Sequence, residues 1–422
     1  MRLGVIADDF TGATDIASFL VNNGMATVQF NGCPTQGFTE QADALVVSLK
    51  TRSCPTDLAV SAALNALRWL QQQGCSHFYF KYCSTFDSTE RGNIGPVTDA
   101  LLLALDETLT IISPALPVNG RSVYKGYLFV GDVLLAESGM RNHPITPMRD
   151  SYLPRLMDAQ ASGKCGVIDA QSIERGVQTV KQQLIQRQAE GFRYVVLDAL
   201  SEQHLITQGA AVADMKLVTG GSGLAIGIAR QWQRETSLPP LQGAMWQRSG
   251  RSVVLSGSCS ERTNEQVAHY RQLAPSQSVD VEPLLAGELT VEAYAHTLAE
   301  WVLAQPTSPA PLVYATSAPE VLHVIQQRFG VEKSSSVIEA LFSRLAGELC
   351  QAGIGNFIVA GGETSSAITQ TLNVHAFHIG PSVSPGVPWI KAINQPVYLL
   401  LKSGNFGDIN FFARAQHQEF TS

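Results

Sequence analysis

Short apolar runs, rich in β-branched and aromatic residues, alternate along the chain with longer stretches whose apolar positions recur every three or four residues. That alternation predicts an α/β fold with mostly parallel strands and crossover helices. In the first half, strands are expected at 3–7, 44–49, 78–81, 109–113, 194–197 and 216–219. Helical spacing fills 14–22, 58–73, 97–105 and 173–191. The stretch 127–149 is polar and irregular, as suits a functional loop or a small subdomain. The pattern lapses at 232–251, where Ser237-Leu238-Pro239-Pro240 and Gln242-Gly243 read as a linker. It restarts with strands at 252–256, 312–315, 356–359, 376–379 and 397–401. Helices at 261–273, 291–304, 319–329, 337–352 and 364–372 join them.

A length of 422 residues suits two or three domains. Hydrophobic residues at 45% against 15% charged describe an ordinary globular chain. The formal net charge is −7 and no Lys/Arg run occurs. Nucleic acid is therefore not an expected partner. An anionic ligand must instead be held by a local cluster of cations or backbone N–H groups. Seven scattered cysteines without a C-x-x-C pair argue against a disulfide framework or structural zinc, and fit a reducing cytoplasm. The start, Met1 to Asp9, does not read as a signal peptide, and no apolar stretch is long enough to span a membrane.

In open parallel sheets ligands bind beyond the carboxyl ends of the strands. After the first expected strand come Asp8, Asp9, Thr11, Gly12 and Asp15. After the second come Lys50, Thr51, Arg52 and Ser53. The third gives Lys81, Ser84, Thr85 and Asp87, and the fourth runs into Asn119, Gly120 and Arg121. Asp198 follows the fifth and Gly220-Gly221-Ser222-Gly223 the sixth. Taken singly, each is more often a cap or a solvated loop residue. Together they place Lys50, Arg52, Lys81 and Arg121 beside several acids, and two of the nine lysines fall here. A small hydroxy acid needs that mixture: cations for its carboxylate, carboxylates and amides for its hydroxyls. Asp8, Asp9 and Asp87 are the candidates to accept a proton. His143, a lone loop histidine, reads as structural.

A Walker-A P-loop is absent. The second half nevertheless has strand–turn–helix elements suited to phosphate. Ser256-Gly257-Ser258-Cys259-Ser260-Glu261 carries the capping-box spacing Ser258–Glu261. In Ala360-Gly361-Gly362-Glu363-Thr364-Ser365, two glycines let backbone approach a ligand and Thr364 opens a helix whose N-terminus favours anions. Ser317-Ala318-Pro319-Glu320 reads as a capped helix start. Lys402-Ser403-Gly404-Asn405-Phe406-Gly407 follows the last strand. Gly221–Gly227 imitates a dinucleotide fingerprint but lacks the acid at a following strand end, which keeps an NAD-dependent oxidoreductase as a distant alternative.

Ala7-Asp8-Asp9-Phe10-Thr11-Gly12-Ala13-Thr14-Asp15, Lys81-Tyr82-Cys83-Ser84-Thr85-Phe86-Asp87-Ser88-Thr89, Thr219–Gly223 and Gly361-Gly362-Glu363-Thr364-Ser365 together resemble the four-carbon acid sugar kinases. The resemblance covers essentially the whole chain. The stretches 80–89 with Gly92-Asn93-Ile94-Gly95-Pro96, and Ser113 to Arg121, are most similar to the branch acting on 3-oxo-tetronate; other branches use threonate or erythronate. The resemblance implies two α/β domains, each a mostly parallel sheet flanked by helices, with the active site in the interdomain cleft. Residues 1–231 would bind the acid sugar, 232–250 would link, and 251–422 would bind the nucleotide. ATP with Mg²⁺ would phosphorylate the O4 hydroxyl in carbohydrate acid catabolism. Nucleotide contacts carry over to Ser258, to Gly361, Gly362, Glu363 and Thr364, and to Gly404. From the strand-end reading, Asp8, Lys50, Arg52, Ser84, Asn119 and Arg121 are the expected substrate contacts. Asp9, Asp87 and Lys81 are the expected catalytic groups, while the proton acceptor stays open among Asp8, Asp9 and Asp87. A homo-oligomer is left open. A non-catalytic acid-sugar sensor is disfavoured by the glycine turns of the second half.

Overall fold

In a computed structural model the chain divides into two compact units, Met1–Pro240 and Leu241–Ser422. The structure describes residues 2–143, 146–233, 248, 250–316, 324–325, 327–404 and 406–417. Most of the expected linker, the expected helix start at Ser317 and Asn405 lie outside the described residues.

The first unit is built on strands β1 (Leu3–Ala7), β2 (Thr27–Asn31), β3 (Ala44–Ser48), β4 (His77–Lys81), β5 (Thr110–Ser113), β6 (Arg121–Tyr124), β7 (Tyr127–Val130), β8 (Val133–Leu134), β9 (Lys164–Ile168), β10 (Phe192–Leu197) and β11 (Leu217–Gly220). Its main sheet runs β2-β3-β1-β4-β11-β5-β10-β9, parallel throughout. Helices cover both faces, so central strands such as β1 are buried at every position and read as unbroken apolar runs. One layer packs together α1 (Phe10–Asn22), α5 (Ala170–Glu174), α6 (Val177–Ala189), α7 (Glu202–Val212) and α8 (Leu224–Gln233). The other holds α2 (Thr56–Gln72), α3 (Ile94–Ala104) and α4 (Leu153–Gln160).

Register decides where chemistry collects. Ala7 pairs with Ser48 and Lys81, and Gly220 pairs with Lys81 and Ser113. Five strands therefore end on one line. The chain leaves β1 toward β2 and leaves β4 toward β5, on opposite sides, so the switch point of the sheet falls between Asp8 and Lys81.

Three readings change here. The expected helix at 173–191 is two helices, because Gly176 sits at φ +99° between α5 and α6. The irregular stretch after Tyr127 contributes to the antiparallel sheet β6–β7–β8. The Gly221–Gly227 run follows β11 and opens α8 as expected, but its glycines are taken up by packing. A Cβ at 223 would fall on Ala115 O, and one at 227 on Leu205 O and 2.9 Å from Gly209 Cα. Those contacts let α7 and α8 cross closely.

The second unit orders its strands β13-β14-β12-β15-β18-β17-β16, with β12 (Ser252–Ser256), β13 (Ser276–Ser278), β14 (Leu312–Tyr314), β15 (Asn356–Ala360), β16 (Ala376–Ser384), β17 (Val387–Ala392) and β18 (Tyr398–Lys402). The run from β13 to β18 is parallel, and β17 and β16 close it antiparallel. Ser256 pairs with Ala360, and Ala360 with Lys402, which again aligns three strand ends. Val254, Ile358, Trp389, Leu400, Phe411 and Phe412 belong to its core.

Gly209→Ala forces a methyl group into the α7–α8 contact, where it would meet the Gly227 backbone. Overpacking of this kind costs about 1–3 kcal/mol. A lower urea midpoint with an unchanged m-value is the expected result.

Candidate active site

β1 leaves the sheet at Ala7, and the next two residues part. Asp8 is buried, held by its N–H to Lys81 O and by its carbonyl to Thr51 N–H. Asp9 is the N-cap of α1 and its Oδ1 accepts from the Gly12 N–H at 2.9 Å. That cap starts the helix at Phe10, a turn earlier than the apolar spacing alone implies.

Arg52, from the loop after β3, binds these acids together. Its Nε lies 2.9 Å from Asp8 Oδ2 and its Nη2 2.8 Å from Asp8 Oδ1, a bidentate pair. The same Nη2 is 2.8 Å from Asp9 Oδ1, and Nη1 is 3.7 Å from Asp87 Oδ2. Asp87 is brought in by the loop after β4, where buried Phe86 turns the chain at φ +49°. The Thr85 hydroxyl then donates to Asp87 Oδ1 at 2.5 Å. Burial pushes the Asp8 carboxyl above its ordinary value, against the pull of the Arg52 charge. Burial opposes the Arg52 charge too, but Asp8 and Asp9 keep that guanidinium well above its usual value. A small pocket opens beside the pair, lined by Asp8, Thr51, Arg52, Phe80, Asp87 and Asn93 among others. Asn93 shapes it by donating to Thr51 O at 2.8 Å and to Cys54 O at 2.9 Å.

Lys81 is buried at the end of β4, with Nζ donating to Tyr82 O at 2.8 Å. It passes so close to α1 that a Cβ at residue 12 would stand 2.8 Å from Nζ, which Gly12 avoids. Asp15, one helical turn on, hydrogen-bonds Ser222 through Oδ2, while its buried Oδ1 has no hydrogen-bond partner among the described residues. Burial raises the Asp15 carboxyl, and the Lys81 charge opposes that rise. Arg121 donates from Nη1 to Asn119 O, and its buried Nε has no hydrogen-bond partner among the described residues. Its charge also acts on Asp15. Ser84 lies alongside Gly221, its Cα 3.4 Å from where a Cβ would stand. The structure thus gathers Asp8, Asp9, Arg52 and Asp87 into one cluster, with Lys81 close to Asp9 across Gly12. Lys50 is exposed. Asp198 is a structural anchor, with Oδ2 accepting from Lys125 N–H at 2.5 Å and Ala170 N–H at 3.1 Å and Oδ1 from Gly126 N–H at 2.9 Å, which ties the β6–β7 turn to the main sheet.

In the second unit, the turns after β12, β15 and β18 meet. Gly361, at φ +123°, donates its N–H to Lys402 O and leads directly into the helix Gly362–Thr371. A Cβ at 361 would stand 3.2 Å from both Ser258 N and Thr364 Oγ1, and one at 404 would stand 2.7 Å from the hydroxyls of Ser258 and Ser260. Nothing lies within 4 Å of a Cβ at 362. The N-cap of the helix Glu261–Tyr270 is Ser260, whose Oγ accepts from Thr263 N–H at 3.3 Å; the expected Ser258–Glu261 capping box does not form. Ser258 Oγ instead accepts from the Ser260 N–H at 3.3 Å. Ser258, Gly361, Gly362, Thr364 and Gly404 come together here, and Glu363 lies in the first turn of its helix.

The strand-end reading names Asp15, Ser222, Ser260 and Lys402 but not the pairs Asp15–Ser222 and Ser260–Thr263, nor the buried state of Lys402. The signal for Lys402 was available: like Lys81, it closes a central apolar strand.

Arg52→Met strands the buried Asp8 carboxylate, and losing one partner of such a pair costs about 3 kcal/mol of unfolding free energy. Adding Asp8→Asn removes the stranded charge and recovers much of the loss in urea denaturation. A double variant no more stable than Arg52→Met refutes the pairing as the source.

Two family models match the chain: a sugar-binding N-terminal domain over residues 3–228 and a nucleotide-binding C-terminal domain over residues 253–412. A Salmonella typhimurium protein named 3-oxo-tetronate kinase is 60% identical over 418 residues, covering 99% of each chain. One of the same name from Escherichia coli is 61% identical over 385 residues, covering 91% of this chain and 99% of its own. A crystal structure from Salmonella typhimurium superposes with a TM-score of 0.93 at 60% identity, covering 99% of both chains. One from Haemophilus influenzae gives 0.85 at 53%, covering 98% of this chain and 99% of that one. With both domain models in place and relatives matched end to end at this identity, the chain belongs to the four-carbon acid sugar kinase family.

Proposed function

We propose that this protein transfers the γ-phosphoryl group of ATP to the O4 hydroxyl of 3-oxo-tetronate. Full-length identity of 60% to proteins named for that activity carries the reading. The chemistry of the two units supports it. The first offers buried cations and carboxylates for a short sugar acid, and the second offers backbone and hydroxyl groups for phosphate.

On the first unit, Arg121 takes the substrate carboxylate, since its buried Nε has no hydrogen-bond partner among the described residues. Ser84 and Asn119 contribute hydrogen bonds, and exposed Lys50 adds long-range attraction. Arg52 serves this site by fixing Asp8, Asp9 and Asp87, because those carboxylates already occupy its guanidinium. Of the three acids, Asp9 keeps the most exposed side chain, at 30% against 7% for Asp8 and 9% for Asp87. It is therefore the group assigned to accept the O4 proton. Asp87 restrains Arg52, and Lys81 lies beside Asp9 to neutralise developing charge. Phosphoryl transfer depends mainly on positioning and charge neutralisation, so these roles outweigh base strength.

On the second unit, the phosphates lie over the Gly361-Gly362 turn and the N-terminus of the helix Gly362–Thr371, with Ser258, Thr364 and Gly404 alongside and Glu363 at the rim. Among the described residues, no group of three or more His, Cys, Asp or Glu side chains is placed to hold a metal. Mg²⁺ enters as the counter-ion that ATP brings with it, held chiefly by the phosphates and water.

An ADP-release assay across 3-oxo-tetronate, threonate and erythronate tests the reading, with the 3-oxo acid expected to give the highest kcat/KM. ADP release with none of the three overturns it. Asp9→Ala should lower kcat by about 10²–10⁴, the range for losing a positioned base. Asp87→Ala should lower kcat by roughly tenfold or more through loosened positioning. Near wild-type rates in both variants would place the acceptor site elsewhere.

A further inference from the structure

Each unit ends a central strand on a buried lysine, β4 on Lys81 and β18 on Lys402. Both ammonium groups fold back onto the carbonyl of the next residue, at 2.8 Å to Tyr82 O and 3.1 Å to Ser403 O. They differ in counter-charge. Lys81 lies in the field of Asp8 and Asp15. Lys402 makes no ion pair with a carboxylate among the described residues.

The surroundings of Lys402 are well defined. Nζ donates to Thr263 Oγ1 at 2.9 Å, to Ser403 O at 3.1 Å and to Gly404 O at 2.9 Å, which uses all three ammonium protons. Thr263 Oγ1 also donates to Gly404 O at 2.7 Å. The helix Glu261–Tyr270 presents Thr263 and the like charge of Arg262, whose guanidinium pairs with Glu265 on the same helix. The helix Phe411–His417 presents the Phe411 ring, its centroid 6.0 Å from Nζ. From the end of β15 comes the Gly361 N–H, donating to Lys402 O. Burial, with Arg262 second, brings the ammonium down to about 7. A buried cation left this way is costly unless something else supplies the opposite charge. What stands above it is the turn where Gly404 meets Ser258 and Ser260.

We propose that Lys402 is a positioning residue of the nucleotide site: it pins the Ser403 and Gly404 carbonyls inward, holds Gly404 against Ser258 and Ser260, and takes the nucleotide phosphates as its counter-ion. The inference rests on the reading that this unit binds ATP. With its three protons already committed, the ammonium acts through its field and the turn it holds, without touching phosphate. Deprotonation removes one of the three donors and loosens the turn. Binding an anionic nucleotide reverses this by drawing one proton from solvent onto Nζ, so nucleotide affinity and proton uptake are linked.

Calorimetric titration of the full chain with ADP at pH 8, in buffers of differing ionisation enthalpy, tests this. The wild type should take up about one proton per ADP bound, and affinity should fall by roughly tenfold from pH 8 to pH 9. Lys402→Met should abolish the uptake and weaken ADP binding by about tenfold or more, with KM for the acid sugar unchanged within about twofold. Lys402→Gln keeps a donor without the charge and should also lose the uptake. A buffer-independent binding enthalpy in the wild type overturns the inference while leaving the nucleotide reading intact, and this arm needs no variant to fold. Uptake that persists in both variants overturns it equally. Absence of saturable ADP binding to the wild type overturns the nucleotide reading itself, and the inference with it.

Discussion

Taking charge out of water at the carboxyl edge of a parallel sheet is the constraint from which the chemistry of both units follows. A strand buried on both faces delivers its last residue into the interior, so any ionisable group placed there must find a partner or shift its protonation. Asp8 and Lys81 meet that demand within the first unit. They end neighbouring strands whose register is fixed by the ladder from Leu3–His77 to Ala7–Lys81. Arg52 then reaches across from the next strand over. The acids and cations of this edge therefore restrain one another, and the cluster is held before any ligand arrives.

Much of this edge was legible from the chain. Apolar strands show where the backbone leaves the sheet, and the residues after them follow by counting; for β1 and β12 the expected and observed limits coincide. Partner choice was not legible. Arg52 looks like a free clamp in sequence, whereas three carboxylates on two other loops engage it in the fold. Nothing local encodes that convergence, because it depends on strand order. Two strands interrupted by a polar residue or proline were missed for a related reason. β2 carries Gln29, a polar side chain that is nonetheless fully buried, and β17 carries Pro388. Both break the apolar runs on which the reading relied. The Ser258–Glu261 spacing reads as a cap in sequence, but in the fold Ser260 caps the helix through the Thr263 N–H.

Glycine-rich turns gave the strongest ambiguity, and the space around each glycine resolves it. At Gly221, Gly223 and Gly227 the position of a side chain is filled by backbone carbonyls of the same unit. Those glycines permit close packing of backbone on backbone. At Gly362 the same position is open, and at Gly361 and Gly404 it is bounded by hydroxyls and a backbone N–H. A turn lined by donors beside an open position, at a helix N-terminus, is suited to phosphate oxygens. The two runs look alike as strings of letters. They differ in what the fold has already placed against them: Gly221–Gly227 packs against α7 and the segment after β5, while the turns at Gly361, Gly362 and Gly404 keep a donor-lined opening.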